Sequence, residues 1–239
     1  MQPNSTLTKQ PPDLSTGAAV WVGSHERAHI RFVGRAASGG RVEALALGVR
    51  ALPSVSAPSR LAWPRQVHSA EVLAAVDGEC GIGDALYAST PGLVLAIATA
   101  DCVPIAIASG AEIAAVHAGW RGIVGGVVEN SISRFVAPAA SLEAWIGPAV
   151  GPCCYEVGDE VAAQVIAASS STVASTGASQ KPHLDLQAAV REQLTRLGVR
   201  TVHTVAICTC CHPEWLWSYR RDGKDAGRNL AFAWLQSET

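Results

Sequence analysis

Charge is sparse in this chain and long apolar runs are absent. Only 16% of the 239 residues are charged, the net charge is −2, and apart from Arg220-Arg221 the Lys and Arg residues are scattered singly. With no basic stripe there is no electrostatic footprint for nucleic acid, so that partner is not expected. The longest apolar stretches, such as residues 93–98, fall far short of the roughly 20 residues of a membrane-spanning helix, so no membrane partner is expected either. The first 17 residues, MQPNSTLTKQPPDLSTG, are polar and Pro-rich with no apolar signal-peptide core, and read as a disordered lead-in. A disulfide framework is also missing. The seven cysteines are an odd number with adjacent pairs, in a chain long enough not to need staples. A reducing cytoplasm is the expected compartment, with the thiols left for metal or catalysis. No internal repeat or domain boundary appears, and residues 18–239 are expected to form one domain with a full core.

What is present is a concentrated apolar segment, residues 96–126, AIATADCVPIAIASGAEIAAVHAGWRGIVGG. Two β-branched runs, 103–108 and 113–117, flank the turn-like Ser109-Gly110-Ala111-Glu112, which predicts a hairpin, and a third run, 93–99, feeds into it. Folding about that turn places residue 102 opposite roughly residue 119, which makes Cys102 and His117 diagonal neighbours at the mouth of the hairpin. Such neighbours lie about 7–8 Å apart at Cα, within reach of a shared metal or a thiol–imidazole contact. A lone Cys is more ordinarily a small buried hydrophobe. Here Thr99, Asp101, Cys102, His117 and Arg121 all fall at the strand ends of a very apolar segment, where a scaffold presents chemistry.

Before the hairpin, 18–22 and 28–34 read as strands around Gly23-Ser24-His25-Glu26. His25 to His29 spells H-E-x-x-H, but that metal motif needs a helix, and strand character on both sides makes the match a coincidence. Residues 35–40 read as a flexible loop, 43–49 as a strand and 51–60 as a linker. Strand-like sequence flanks His68, which alone reads as a surface residue, and 81–84 return the chain to the hairpin. After it, apolar positions in 121–136 predict a helix whose first turn, with Arg121, would favour an anion. A strand is expected at 144–147, a helix at 156–168 and a Ser/Thr/Ala loop at 169–180. A further helix is expected from Leu186, capped by Asp185 and stopped by Gly198. A strand at 201–207 and a closing apolar helix from about residue 227 complete the reading. The Cys208-Thr209-Cys210-Cys211-His212 cluster suggests a zinc knot. Zinc knots, however, use two separated ligand pairs, and consecutive residues do not readily turn to one ion, so lining a pocket is the favoured role.

Six segments taken in order, RQVHSAEV, ADCVPI, VHAGWRG, GPCCYEVG, LDL and CTCCHPE followed by SYRRDG, carry a resemblance to the YfiH/laccase-domain family over roughly residues 60–235. Members have been described as polyphenol oxidases and as peptidoglycan editing factors. The resemblance implies an α/β (α+β) fold: a single-domain layered sandwich with mixed β-sheets, related to the catalytic domain of cytotoxic necrotizing factor toxins. It implies a metal site at His68, Cys102 and His117, and so gives His68 a role that the residue alone does not suggest.

Two histidines and a thiolate leave the fourth position of a tetrahedral zinc open, which is the catalytic arrangement. The implied activity is zinc-dependent phosphorolysis of adenosine, inosine, guanosine and methylthioadenosine, with deamination of adenosine. The partners would then be a purine nucleoside and phosphate, acting on a monomer or weak homodimer. Asp101 is expected to orient a ligand or carry a proton, and Arg35, Arg121 and Arg220 (or Arg221) to hold the anion. The same donors accept copper, the basis of an oxidase reading. A metal-free Cys102–His117 hydrolase or amidase acting in peptidoglycan precursor editing, and a binding module without activity, are the other readings. The sequence departs from the family before His68. FVGRAASGG is a looser version of an expected T-R-x-G-G segment and no N-L-G segment is evident, which puts phosphate and ribose contacts there in doubt.

Overall fold

In the computed structural model, which describes residues 18–35 and 60–237, the predicted hairpin forms the centre of one of two packed sheets. The strands are β1 (Val20–His25), β2 (Ala28–Val33), β3 (Arg60–Arg65), β4 (Val72–Ala74), β5 (Gly78–Ile82), β6 (Ala85–Ala88), β7 (Leu93–Thr99), β8 (Val103–Ala108), β9 (Ile113–Ala118), β10 (Glu143–Ile146), β11 (Ala174–Thr176), β12 (Pro182–Leu184), β13 (Thr201–Thr204) and β14 (Asn229–Leu235). The first sheet has the order β1-β2-β14-β7-β3-β5 and the second β13-β10-β8-β9-β6-β4, with β11 and β12 as a separate pair. Both large sheets are mixed and open: β3 runs parallel to β5 and β7, and β10 parallel to β13.

Alternation sets the layers. Along β7, Leu93, Leu95 and Ile97 face the second sheet, where they meet Ala106, Ala115 and Trp145, while Val94, Ala96 and Ala98 face the other way. The far face of the second sheet, with Ile105, Ile107 and Val116, packs against helices through Val127, Val190 and Leu194. Fully burying such an aliphatic side chain is worth about 1.5–3 kcal/mol. The expected layered α+β sandwich with mixed sheets is therefore present.

The β8–β9 register pairs Val103 with Ala118 and Pro104 with His117, so residue 102 falls opposite 119 as the turn predicts. The run feeding the hairpin, β7, continues into β8 along the chain but pairs in the first sheet, so residues 100–102 cross from one sheet to the other. H-E-x-x-H straddles the β1–β2 hairpin, with Ser24 opposite His29, and is no helix.

Three expectations are corrected. The helix over 121–136 is two short ones, α1 (Trp120–Val124) and α2 (Val127–Ile132), because Gly126 adopts φ +86° between them. Residues 169–180 are not only loop: they hold a 3₁₀ turn at Ser171–Val173 and β11. The closing apolar helix is instead β14, which is buried along its whole length between β2 and β7. A strand covered on both faces has no polar alternation to betray it. Helices α3 (Asp159–Ala168) and α4 (Leu186–Arg196) match expectation. The Asp185 side chain accepts from the Ala188 N–H, and Gly198 sits at φ +97°. The strand expected at 43–49 and the loop after Arg35 lie outside the described residues. No helix among the described residues is long and apolar enough to cross a membrane.

Candidate metal centre and its surroundings

Three segments remote in sequence meet at the open end of the β8–β9 hairpin. His117 is the penultimate residue of β9 and is buried, Cys102 closes the crossing between the sheets and is half-buried, and His68 reaches in from the loop after β3 with an exposed side chain. The ligand atoms of the three all lie within 4.8 Å of one another. His68 Nε2 is 3.7 Å from Cys102 Sγ, and the two imidazoles stand edge to face with centroids 4.9 Å apart.

Asp84, just before β6 and fully buried, organises the site. Its Oδ1 is 2.7 Å from His117 Nδ1 and accepts the His68 N–H at 2.9 Å. Its Oδ2 accepts the N–H groups of Val67 and Ser69 and the Ser69 hydroxyl. One carboxylate thus holds the loop that carries one imidazole and the ring of the other. With Nδ1–H donated to Asp84, Nε2 of His117 is left to face Cys102, the tautomer a metal ligand needs. The loop is also held by Gln66, whose side chain pairs with the Ala98 backbone like an added strand residue: Nε2 donates to the carbonyl at 2.7 Å and Oε1 accepts the N–H at 3.1 Å.

Four non-glycine residues among those described have positive φ, and two are in this site: His68 at +63° and Asp101 at +91°. Such backbone costs of order 1–3 kcal/mol each and persists where surrounding bonds over-determine it. Gly119 is required for space, because a Cβ there would lie 2.8 Å from His68 Cδ2 and 3.1 Å from Cys102 Sγ.

The charges are mutually adapted. Burial alone would raise the Cys102 thiol, but the positive charge and hydrogen bond of His117, with those of His68, bring it down to about 6. Burial would lower His117, but the Cys102 thiolate and the bond to Asp84 lift it to about 9. Burial would likewise raise Asp84, yet its bonds from His117 and Ser69 hold it well below the usual carboxylate range. A thiolate beside two imidazoles, one oriented by a carboxylate, is a three-donor set suited to zinc or copper, and the residues fit such an ion.

Asp101 is buried next to Cys102, and its oxygens accept the Thr209 hydroxyl at 2.5 Å and the Arg220 N–H at 2.6 Å. Tyr155, which sequence reasoning did not single out, joins this neighbourhood. Burial and the charge of Cys102 push its phenol up to about 12, while Arg220 and Arg121 pull the other way. The Arg220 guanidinium lies 5.1 Å from the Tyr155 ring centroid, and Arg121 lies 4.5 Å from that of Trp120 at the start of α1. Arg35 is placed differently, 3.9 Å over the Trp217 ring and donating to the Pro213 carbonyl at 2.7 Å. Arg221 is occupied with Asp222 and the carbonyls of Thr209, Cys210 and Leu216. Asp84 was equally hidden from the sequence, since a single Asp between two short strands carries no pattern.

Residues 43–236 match the family described as multi-copper polyphenol oxidoreductase laccase. The chain is 39% identical over 184 residues to purine nucleoside phosphorylase YfiH of Escherichia coli K12, covering 74% of this chain and 75% of that protein. It is 41% identical over 189 residues to purine nucleoside phosphorylase SCO2081 of Streptomyces coelicolor, covering 74% and 76%. Among solved structures it resembles Neisseria meningitidis protein NMB0706, with TM-score 0.81 and 28% identity over 91% of this chain and 99% of that one. YlmD of Geobacillus stearothermophilus is similar at TM-score 0.77 and 26% identity, over 88% and 93%.

Proposed function

From the premise that this chain belongs to the polyphenol oxidoreductase laccase family, whose curated relatives include purine nucleoside phosphorylases, we propose that it is a zinc-dependent purine nucleoside phosphorylase. Its substrates in this reading are adenosine, inosine, guanosine and methylthioadenosine, and it also deaminates adenosine. The observation that carries the reading is the convergence of His68, Cys102 and His117 on one point open to solvent on the His68 side, with Asp84 behind His117. His68, Cys102 and His117 would hold the ion, and a bound zinc would supply Lewis acidity and lower the pKa of a water or substrate group it met.

The protein's own groups do the remaining work. Arg121 and Arg220 supply positive charge beside the metal centre for the phosphate that displaces the purine from C1′ of the ribose, yielding ribose 1-phosphate and the free base. Arg221 already satisfies several carbonyls and Asp222, and so is a structural arginine. Asp101 holds the Arg220 backbone and Thr209 in place, which makes it a positioning residue. Arg35, packed on Trp217, would reach the anion only by leaving that ring. α1 has five residues, so its dipole adds little and the anion site rests on the arginines. Seven free thiols suit a reducing cytoplasm.

A second reading has its own support. Without metal, Cys102, His117 and Asp84 form a thiolate–imidazolium–carboxylate series that could act as a hydrolase or amidase nucleophile on peptidoglycan precursors. A copper-dependent oxidase would use the same three donors, too few for a multi-copper cluster. Metal analysis beside an adenosine assay, with and without phosphate, separates these readings. Zinc with phosphate-dependent release of adenine is the expected result. Inosine alone would leave only the deaminase, and protein with neither metal nor adenosine turnover would favour the thiol enzyme, with labelling of Cys102 as the next test.

A further inference from the structure

A second cluster of thiols forms where two turns beside the site meet. Cys153 and Cys154 lie in the turn that follows Gly151, and Cys208 and Cys211 in a turn more than fifty residues later. The turns are laced together by backbone, with the Thr209 N–H donating to the Ala149 carbonyl at 3.0 Å and the Ala149 N–H to the Ile207 carbonyl at 3.4 Å. Cys211 Sγ is 3.5 Å from both Cys153 Sγ and Cys154 Sγ, and all four sulfurs lie within 4.8 Å of one another. A tetrahedron with metal–sulfur bonds of about 2.3 Å has sulfur–sulfur edges of about 3.8 Å, so the cluster has the dimensions of a four-thiolate cage. A disulfide would join two sulfurs and strand the others, whereas Cys211 stands equally close to two partners.

Two further features mark the cage as built. The Gly151 N–H donates to Cys208 Sγ at 3.2 Å, a bond that favours thiolate. A Cβ on Gly151 would crowd Cys208 Cβ at 3.3 Å and Cys153 Sγ at 3.4 Å, so glycine permits the close approach of the turns.

We propose that Cys153, Cys154, Cys208 and Cys211 are a second metal site, a tetrahedral four-thiolate site holding Zn²⁺. Each thiol gives its proton to solvent as the ion binds. Four protein ligands close the coordination sphere and leave no position for water or substrate, so the site is structural. Its place gives it a purpose: Thr209, inside one turn, donates to Asp101, and Tyr155, following the other, lies under Arg220. The ion pins together the two turns that wall the catalytic centre. The inference does not depend on which reaction that centre performs.

The test uses the full-length chain carrying His68→Ala and His117→Ala, kept reduced and titrated with Co²⁺. About one Co²⁺ per chain is expected, with intense near-ultraviolet sulfur-to-cobalt charge transfer and tetrahedral visible bands that Zn²⁺ abolishes. Adding Cys153→Ser and Cys211→Ser should remove those bands. In the otherwise unaltered chain the same pair of serines should lower bound zinc from about two ions to about one. The absence of thiolate bands in the histidine variant, which keeps all four cysteines, would overturn the site even if the serine variants failed to fold. Bands that survive the serine substitutions, or a Cys153–Cys211 disulfide in protein alkylated at cell lysis, would overturn it as well.

Discussion

Asp84 and His117 are 33 residues apart in the chain and 2.7 Å apart at Oδ1 and Nδ1, and the His117 N–H also donates to the Asp84 carbonyl, again at 2.7 Å. The carboxylate thereby fixes both the tautomer and the position of the imidazole while holding the loop of His68. Asp84→Asn keeps the volume but loses the charge and one acceptor. The zinc affinity of this variant, measured by chelator competition, should fall about 10–100-fold. An unchanged affinity would mean that the contact does not tune the ligand.

Cys102→Ser and His117→Ala should each remove the ion from the three-donor site and abolish adenosine turnover, with far-ultraviolet circular dichroism unchanged. Retained activity in either variant would exclude a metal mechanism.

Gly119→Ala places a Cβ against His68 and Cys102. His68 is exposed and can swing outward, so the cost should appear in function rather than in folding. The expected result is metal affinity lowered by tenfold or more, with Tm within a few degrees of the parent, where about 1 kcal/mol corresponds to roughly 2–4 °C.

Arg121→Ala and Arg220→Ala should raise the KM for phosphate by about 10–100-fold, the worth of a charge-assisted hydrogen bond of about 1.5–3 kcal/mol, and spare deamination, which uses no phosphate. Equal loss of both activities would assign these arginines to the nucleoside instead.

Glu112, in the hairpin turn, gives a pH signature separate from the metal centre. It is 7% exposed, accepts the Tyr87 hydroxyl at 2.5 Å and the N–H groups of Val136 and Ala137, and these bonds outweigh burial to hold its carboxyl below the ordinary value. A carboxyl depressed on folding contributes stability above the unfolded pKa of about 4.3, and that contribution is lost as pH falls through the folded value. Glu112→Gln should therefore be less stable than the parent by about 1.5–3 kcal/mol near neutrality. The gap should narrow in urea unfolding as the pH is taken down through and below the unfolded value. A gap that widens in acid would reverse the assignment.

The hairpin was legible because its turn fixes its register: Ser109 to Glu112 determined that residues 102 and 119 are opposite, and hence that Cys102 and His117 are close. α4 was legible from its cap and stop. The family resemblance supplied His68, which no local pattern marks. Other features were hidden for definite reasons. β14 has apolar side chains on both faces, so neither strand nor helix periodicity shows. The break between α1 and α2 depended on how the chain resolves Gly125-Gly126. The proximity of the four thiols was not legible because Cys208 to His212 was weighed alone, whereas GPCCYEVG supplies Cys153 and Cys154 from a distant turn that only the fold brings near.

The position of β14 bears on how the protein comes into being. Residues 229–235 fill the gap between β2 and β7, strands made roughly two hundred and one hundred and thirty residues earlier. Without β14, β2 and β7 each present an unpaired edge, and the crossing that positions Cys102 hangs from β7. Pairing of such sequence separation is slow, and open edges are templates for aggregation. The placement of the Cys102 crossing thus depends on a strand that contributes no ligand to the candidate metal centre.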